Sequence, residues 1–234
     1  MRALVIQHDH VSPAGPVGAR LEERGYAVEL LEVVGAEDFH QPGVERDYPR
    51  AADYDVVVSM GASWSAYDHD LIGSWVQPET ELLREADAAG VPVLGICFGG
   101  QLLAQAHGGR VCGSDNPEIG WVDVETDDPS VVPAGPWFEW HYDRWELPPG
   151  ATEVARNAAS SQGFVLRRNL AVQFHPELTA SMLQGWLDNG GDEKALAHGH
   201  DLERLRSDTL AQEDDSARRA AALVDGFLDR VAAG

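Results

Sequence analysis

Three things are scarce in this chain of 234 residues: cysteine, positive charge and long apolar runs. The two cysteines, Cys97 and Cys112, cannot build a disulfide framework, and a reducing cytoplasm is the default setting for such a chain. They are not spaced as Cys-x-x-Cys, which argues against a structural zinc site. No apolar run approaches the ~18 residues of a membrane span. The opening Met1–Ile6 meets Gln7-His8-Asp9 too soon for a signal peptide. Only 17 Lys and Arg stand against 39 Asp and Glu, a formal charge of -22. Nucleic acid and anionic membrane surfaces need clustered positive charge, so neither is an expected partner. The acidic balance speaks to solubility and names no partner of its own.

What is present is ordinary for a globular protein able to bury a sizeable core: 44% apolar residues, 24 glycines and 13 prolines. There is no repeat, long linker or low-complexity segment. A single domain over 1–234 is expected, with a core over 1–187 and a helical extension over 188–234.

The first half alternates strand and helix patterns, which predicts an α/β fold with a parallel central sheet and right-handed crossovers. Strands are predicted at Arg2–Ile6, Ala27–Val34, Tyr54–Ser59 and Val91–Ile96, and helices at Pro16–Arg24, Glu79–Ala89 and Phe98–His107. Gln7–Pro13 reads as a loop, and Gly25 as the residue closing the first helix. After Arg110 the pattern shifts to short strands at Val111–Ser114, Ile119–Glu125, Trp137–His141, Glu153–Asn157, Gly163–Arg167 and Leu170–Phe174. These are expected as antiparallel or mixed strands on one side of the parallel sheet. A helix is predicted at Thr179–Asp188. The last 46 residues read as charged helix, with Ala220, Val224, Phe227, Leu228 and Val231 forming one apolar stripe.

The informative stretch is Val91-Pro92-Val93-Leu94-Gly95-Ile96-Cys97-Phe98-Gly99-Gly100-Gln101. A buried strand runs straight into a helix with Cys97 at the junction. Gly95 and Gly99 flank it in the Gly-x-Cys-x-Gly spacing of a nucleophile elbow, cysteine standing where serine is usual. Glycines allow the tight turn and keep bulk from the nucleophile. The helix N-terminus favours a thiolate, and the Phe98 N–H would point at an oxyanion.

A thiolate nucleophile needs a base and a group to orient it. His175 ends the apolar strand Leu170–Phe174, at the sheet edge where this fold class binds ligands. Glu177 follows across Pro176, placed to accept from one imidazole nitrogen while the other faces Cys97. Alone, His-Pro-Glu would read as a turn after a strand; Cys97 gives it its meaning.

Together, Gly95-Ile96-Cys97-Phe98-Gly99-Gly100-Gln101 and Gln173-Phe174-His175-Pro176-Glu177 resemble the class I (triad) glutamine amidotransferase family. The resemblance continues in Met60-Gly61-Ala62-Ser63, Ile119-Gly120-Trp121 and Trp140-His141-Tyr142-Asp143, and covers about residues 1 to 187. Within the family the chain looks most like stand-alone proteins akin to the glutaminase domain of GMP synthase. The resemblance implies a three-layer, mostly parallel flavodoxin-like sheet with an added antiparallel region and C-terminal helices. It implies that Cys97 attacks the side-chain amide of glutamine or a γ-glutamyl amide, that His175 moves the protons and that Glu177 orients His175. The oxyanion donors would be Phe98 and the Gly61-Ala62 turn. The family usually has two glycines there; Ala62 replaces the second, and a required positive φ would be costly for alanine. Gln101 matches a substrate-contacting glutamine, and Tyr142 and Asp143 lie where the family holds the amino-acid head group.

The resemblance implies no cofactor and no metal. It implies an ammonia-accepting synthase as one partner, with a free-standing γ-glutamyl hydrolase, a non-catalytic regulatory member of the fold and a related elbow-cysteine peptidase or chaperone as alternatives. Trp137, Phe138, Trp140, Tyr142 and Trp145 read either as pocket wall or as packing of a strand pair. His8-Asp9-His10 looks metal-like, but three consecutive residues rarely converge on one ion. His198-Gly199-His200 reads as an exposed loop, Cys112 as a small core residue, and Glu213-Asp214-Asp215 as a solvated helix start.

Overall fold

A computed structural model describes all 234 residues. The first strand, β1 (Arg2–Asp9), runs past its predicted end at Ile6. Its last polar residues, His8 and Asp9, are fully buried and hydrogen-bonded, so they continue the strand instead of looping into solvent. Helix α1 (Gly15–Glu23) buries Val17 and Leu21, and Gly25 closes it at φ +85. Strands β2 (Ala27–Val34) and β3 (Val56–Ser59) follow.

Helix α2 spans His69–Ala88, beginning well before Glu79 and running through Pro78. An interior proline costs a helix about 3 kcal/mol. Here Ile72, Trp75, Val76, Leu82 and Leu83 share one buried face on both sides of it, and their burial, at ~1.5–3 kcal/mol each, outweighs that cost. Strand β4 (Val93–Ile96) leads into α3 (Phe98–Ala106).

The two strands predicted at Val111–Ser114 and Ile119–Glu125 are one, β5 (Arg110–Thr126), with a register break between Gly113 and Glu118. It pairs antiparallel with β6 (Gly135–Glu146). Strands β7 (Thr152–Arg156), β8 (Ser161–Leu166) and β9 (Asn169–Val172) follow. The sheet order is β2-β1-β3-β4-β9-β8-β7-β5-β6. The first five are parallel neighbours, and β8 opens an antiparallel arm beyond β9.

Helix α4 (Ala180–Trp186) is capped by the Thr179 hydroxyl, which accepts from the Met182 N–H. Beyond it lie α5 (Asp192–Ala197) and α6 (Leu202–Gly226). One core holds α2 and α3 side chains against one face of the sheet. A second holds α1 and the end of α6 against the other, through the predicted stripe of Ala220, Val224, Phe227, Leu228 and Val231, all buried. The result is three layers. Two smaller readings change. Glu213-Asp214-Asp215 lies in the middle of α6, not at a helix start; Glu213 accepts from the Ala180 N–H and ties α6 to α4. Cys112 is half-buried on β5 instead of in a core. No helix is long and apolar enough to cross a membrane.

Candidate active site

Cys97 sits between β4 and α3 at φ 49 and ψ -107, a conformation that L-residues rarely adopt and that costs about 1–3 kcal/mol. The neighbourhood over-determines it. The Cys97 N–H donates to the Val172 carbonyl at 2.7 Å, the Gly99 N–H to Met60 at 3.0 Å and the Gln101 N–H to Cys97 at 2.9 Å. The flanking glycines are required by contact. A methyl on Gly95 would lie 2.8 Å from the Gly100 nitrogen, and one on Gly99 only 2.1 Å from the Ser59 carbonyl oxygen. The first turn of α3 therefore seats directly on the sheet, which presents the Cys97 side chain at the strand ends.

His175 lies just beyond β9, its N–H donating to the Phe138 carbonyl at 2.8 Å. Its Nδ1 lies 2.8 Å from Glu177 Oε1. Nδ1 therefore carries the proton, which leaves Nε2 as the nitrogen on the side of Cys97. Nε2 is buried and has no hydrogen-bond partner in the chain. Burial pulls the imidazole down, but the negative charge of Glu177 and the neighbouring Cys97 sulfur outweigh it and hold the ring well above the usual histidine range. Trp186 of α4 meets the ring edge-on at 4.9 Å.

Gln101 stands one turn past Cys97, and its Nε2 donates at 3.3 Å to the Asp143 carbonyl and to Gln173 Oε1. The Gln173 amide reaches Cys97 Sγ at 3.5 Å. The Asp143 carboxylate accepts from Ser65 Oγ at 2.5 Å and the Tyr67 hydroxyl at 2.8 Å. The Tyr142 hydroxyl accepts from Trp140 Nε1 at 3.3 Å.

Gly61 and Ala62 form the facing turn. Cys97 and Arg167 are the only non-glycine residues at positive φ, so Ala62 needs no strained conformation and its methyl replaces a glycine without a backbone penalty. Gly61 faces the imidazole; a methyl there would lie 3.0 Å from His175 Cε1. Cys97, His175, Gly61, Ala62, Phe98, Gln101, Tyr142 and Asp143 all line one cavity of about 950 Å³, whose outer wall includes Asn189 and Lys194 from beyond α4. All the predicted site residues but Glu177 therefore share one surface, and Glu177 stands behind His175.

The aromatic cluster divides. Trp140 and Tyr142 line the cavity, whereas Trp137 stacks on Phe174 at 4.4 Å and Trp145 meets Phe164 edge-on, both in the core. His8, Asp9 and His10 part company: His8 bonds Glu79, Asp9 accepts from the Val11 N–H, and His10 packs on Phe39. His198 is exposed, yet its ring lies 5.0 Å from that of Tyr142.

Two groups escaped the sequence reading. Gln173 was part of a motif but carried no role; it sits fully buried in an unbroken buried run, and nothing in that run signals that its amide reaches sulfur. Glu118, Glu139 and His141 bring ligand-type atoms within 4.8 Å of one another, His141 also lining the cavity. Burial, and then the charge of Glu118, push the Glu139 carboxyl well above the usual range. Asn157 and Gln162 donate to Glu118 at 2.7 and 3.0 Å.

A family model described as glutamine amidotransferase class-I matches residues 20–190. Among curated proteins, GMP synthase [glutamine-hydrolyzing] of Aeropyrum pernix is 28% identical over 93% of this chain and 41% of its own length. The GMP synthase of Nitrobacter hamburgensis is 38% identical over 38% of the chain and 19% of its own length. The chain thus spans about two fifths or less of these two synthases. The glutamine amidotransferase-like protein YfeJ of Salmonella typhimurium is 26% identical over 85% of both chains. Among solved structures, a glutamine amidotransferase from Thermotoga maritima superimposes with a TM-score of 0.82 at 26% identity, covering 100% of this chain and 99% of that one. One from Methylobacillus flagellatus gives 0.83 at 26%, covering 97% and 94%.

Proposed function

The chain belongs to the class I glutamine amidotransferase family, and we propose that it hydrolyses the side-chain amide of glutamine, or of a γ-glutamyl compound, through a Cys97 thioester. The observation that carries this reading is that a strained Cys97 and a buried His175, itself held by Glu177, line one cavity. Cys97 Sγ gives its proton to His175 Nε2 and attacks the amide carbon as thiolate, and the carbonyl electron pair moves onto oxygen. The N–H groups of Phe98 and Ala62 receive that oxyanion. When the pair returns, the C–N bond breaks and the nitrogen takes a proton from His175 Nε2, leaving as ammonia or an amine. His175 then takes a proton from water, whose oxygen attacks the thioester; the C–S bond breaks and the γ-carboxylate is released. Glu177 holds Nδ1–H throughout and stabilises the imidazolium without itself taking the proton.

Gln173, donating to Sγ, supports the thiolate. Gln101 locks Gln173 and the Asp143 carbonyl in place. Asp143 and Tyr142, which line the same cavity as Cys97, hold the amino-acid head group. Similarity to GMP synthases favours a second step in which the ammonia passes to an ammonia-accepting synthase.

The test is ammonia release by the purified protein from glutamine and a panel of γ-glutamyl amides, with Cys97→Ala as control. Turnover that vanishes in Cys97→Ala supports a free-standing hydrolase. Silence across the panel, with Cys97 alkylated by a glutamine-mimicking electrophile, supports the synthase-coupled form. Turnover that survives in Cys97→Ala overturns the mechanism.

A further inference from the structure

The Gly61-Ala62 turn is held from behind by groups that the chemistry above leaves unused. His8, at the buried end of β1, places Nδ1 3.0 Å from the Gly61 carbonyl oxygen. A carbonyl only accepts, so Nδ1 carries the proton and donates it. Nε2 lies 2.8 Å from Glu79 Oε2 of α2, and both side chains are wholly buried. Glu79 is fixed in turn by Ser59 Oγ at 2.7 Å and the Tyr48 hydroxyl at 3.3 Å. Trp75 and Phe98 both pack against the imidazole, at 5.5 and 4.9 Å between ring centres. Burial pulls the imidazole down, but the charge of Glu79 outweighs it and lifts it above its ordinary value. Facing a carbonyl oxygen on one side and a carboxylate on the other, both ring nitrogens serve as donors.

The peptide joining Gly61 to Ala62 is trans and planar, so its C=O and N–H point in opposite directions. With the oxygen turned inward onto His8, the Ala62 N–H is aimed outward, at the cavity that Ala62 and Cys97 both line. That N–H donates to no acceptor within the chain. A flipped peptide would put the carbonyl oxygen where an oxyanion must go and would leave a buried imidazole N–H unsatisfied. We propose that His8, backed by Glu79, is a positioning residue that latches the Gly61–Ala62 peptide and keeps the Ala62 N–H aimed at the developing oxyanion. The latch rests on the hydrolytic reading above. It also accounts for alanine at this turn: peptide orientation is set by a buried donor, and glycine's conformational freedom is not needed.

The test compares two alkylating agents. A γ-glutamyl chloroketone reacts by addition: sulfur bonds the ketone carbon, the carbonyl pair becomes an oxyanion, and the adduct then collapses to the S–CH₂ bond with loss of chloride. Iodoacetamide reacts by direct displacement of iodide and needs no oxyanion donor. In His8→Leu the chloroketone rate at Cys97 falls on the order of 10²-fold, while the iodoacetamide rate is unchanged. His8→Asn, whose amide nitrogen occupies nearly the place of Nδ1, restores most of the loss. Where His8→Leu does not fold, Glu79→Gln lowers the chloroketone rate alone. An unchanged chloroketone rate, or an equal fall for both reagents, overturns the latch; a merely structural role gives the equal fall. Wild-type protein that neither hydrolyses an amide nor takes the chloroketone at Cys97 overturns the hydrolytic reading instead, so the two failures are told apart.

Discussion

Replacing Gly61 with alanine would change the distance between the oxyanion turn and the proposed base. Gly61 does not occupy the positive-φ region, so alanine meets no backbone penalty there. The new methyl would lie 3.0 Å from His175 Cε1, 3.5 Å from Nδ1 and 3.7 Å from Glu177 Oε1. An ordinary contact begins near 3.4 Å, so the imidazole must retreat by a few tenths of an ångström. A displacement of about 1 Å in a catalytic constellation costs up to ~10²-fold in rate. A shift of about half that size should lower kcat by roughly tenfold on a logarithmic scale. Overpacking of this kind costs ~1–3 kcal/mol of stability, too little to unfold a typical domain. The assay is Cys97-dependent ammonia release, with KM determined in parallel and the melting temperature as a control. Unchanged kcat in a folded Gly61→Ala protein would refute the claim that His175 works at the position described. A loss confined to KM would place Gly61 in substrate binding instead.

Three further outcomes are expected. Cys97, although only 5% exposed, should be alkylated by iodoacetamide before the more accessible Cys112; peptide mapping after limited labelling checks this, and Cys112 reacting first counts against an activated Cys97. His175 is raised in the folded protein above its unfolded value of about 6.5. Its stabilisation is therefore complete below about pH 6.5 and is lost as pH rises through the folded pKa. Glu177→Gln removes the main raising cause, against which burial acts, so the gap in melting temperature between wild type and variant should narrow from acidic to alkaline pH; a constant gap would show that the pair does not titrate as described. Lys194 lines the cavity and is the chain's only lysine. Lys194→Ala should raise KM for a γ-glutamyl substrate a few-fold, in keeping with an exposed charge contact, with kcat unchanged; a fall in kcat alone would remove Lys194 from substrate binding.

The parts of this site that could be read from sequence are those whose geometry is local. Gly95, Cys97 and Gly99 lie within five positions, and the steric demand on each glycine comes from the turn they make together and from the strand beside it. His175 and Glu177 are separated by one proline, and their 2.8 Å contact follows from that spacing. The parallel character of the sheet's first half was legible too, because strand runs alternating with helical patterns call for right-handed crossovers; the strand order was not, since β9 sits beside β4 although four other strands lie between them in sequence. Boundaries were less so. Pro78 marks a helix end to any local rule, yet the buried face from Ile72 to Leu83 carries α2 through it. The turn residues between Ser114 and Ile119, Pro117 among them, suggested two strands, but pairing with β6 resumes after the break, so they are one.

The rest of the site depends on pairings that only the fold creates. His8 and Glu79 are 71 positions apart. In the sequence His8 reads as part of a metal-like His-Asp-His run in a loop, and Glu79 as the start of a helix. They meet because β1 and β3 are parallel neighbours and α2 covers that face of the sheet. A fully buried charged pair is expensive to desolvate, and replacement by apolar residues is often neutral or stabilising. Its presence at 0% exposure, with a third and fourth hydrogen bond spent on Glu79, therefore calls for a role beyond stability. The remaining donor of that pair is spent on one backbone oxygen, that of Gly61. A carbonyl in a turn can be satisfied by water at little cost, so a buried imidazole is a costly partner unless the direction of the peptide matters. Direction matters most where the opposite end of the same peptide faces Cys97. The departure from two glycines at Gly61-Ala62, which looked like damage to the oxyanion turn when only the sequence was considered, is then what a latched peptide permits: once His8 fixes the carbonyl, the residue that follows needs only an N–H and an ordinary φ, and alanine supplies both.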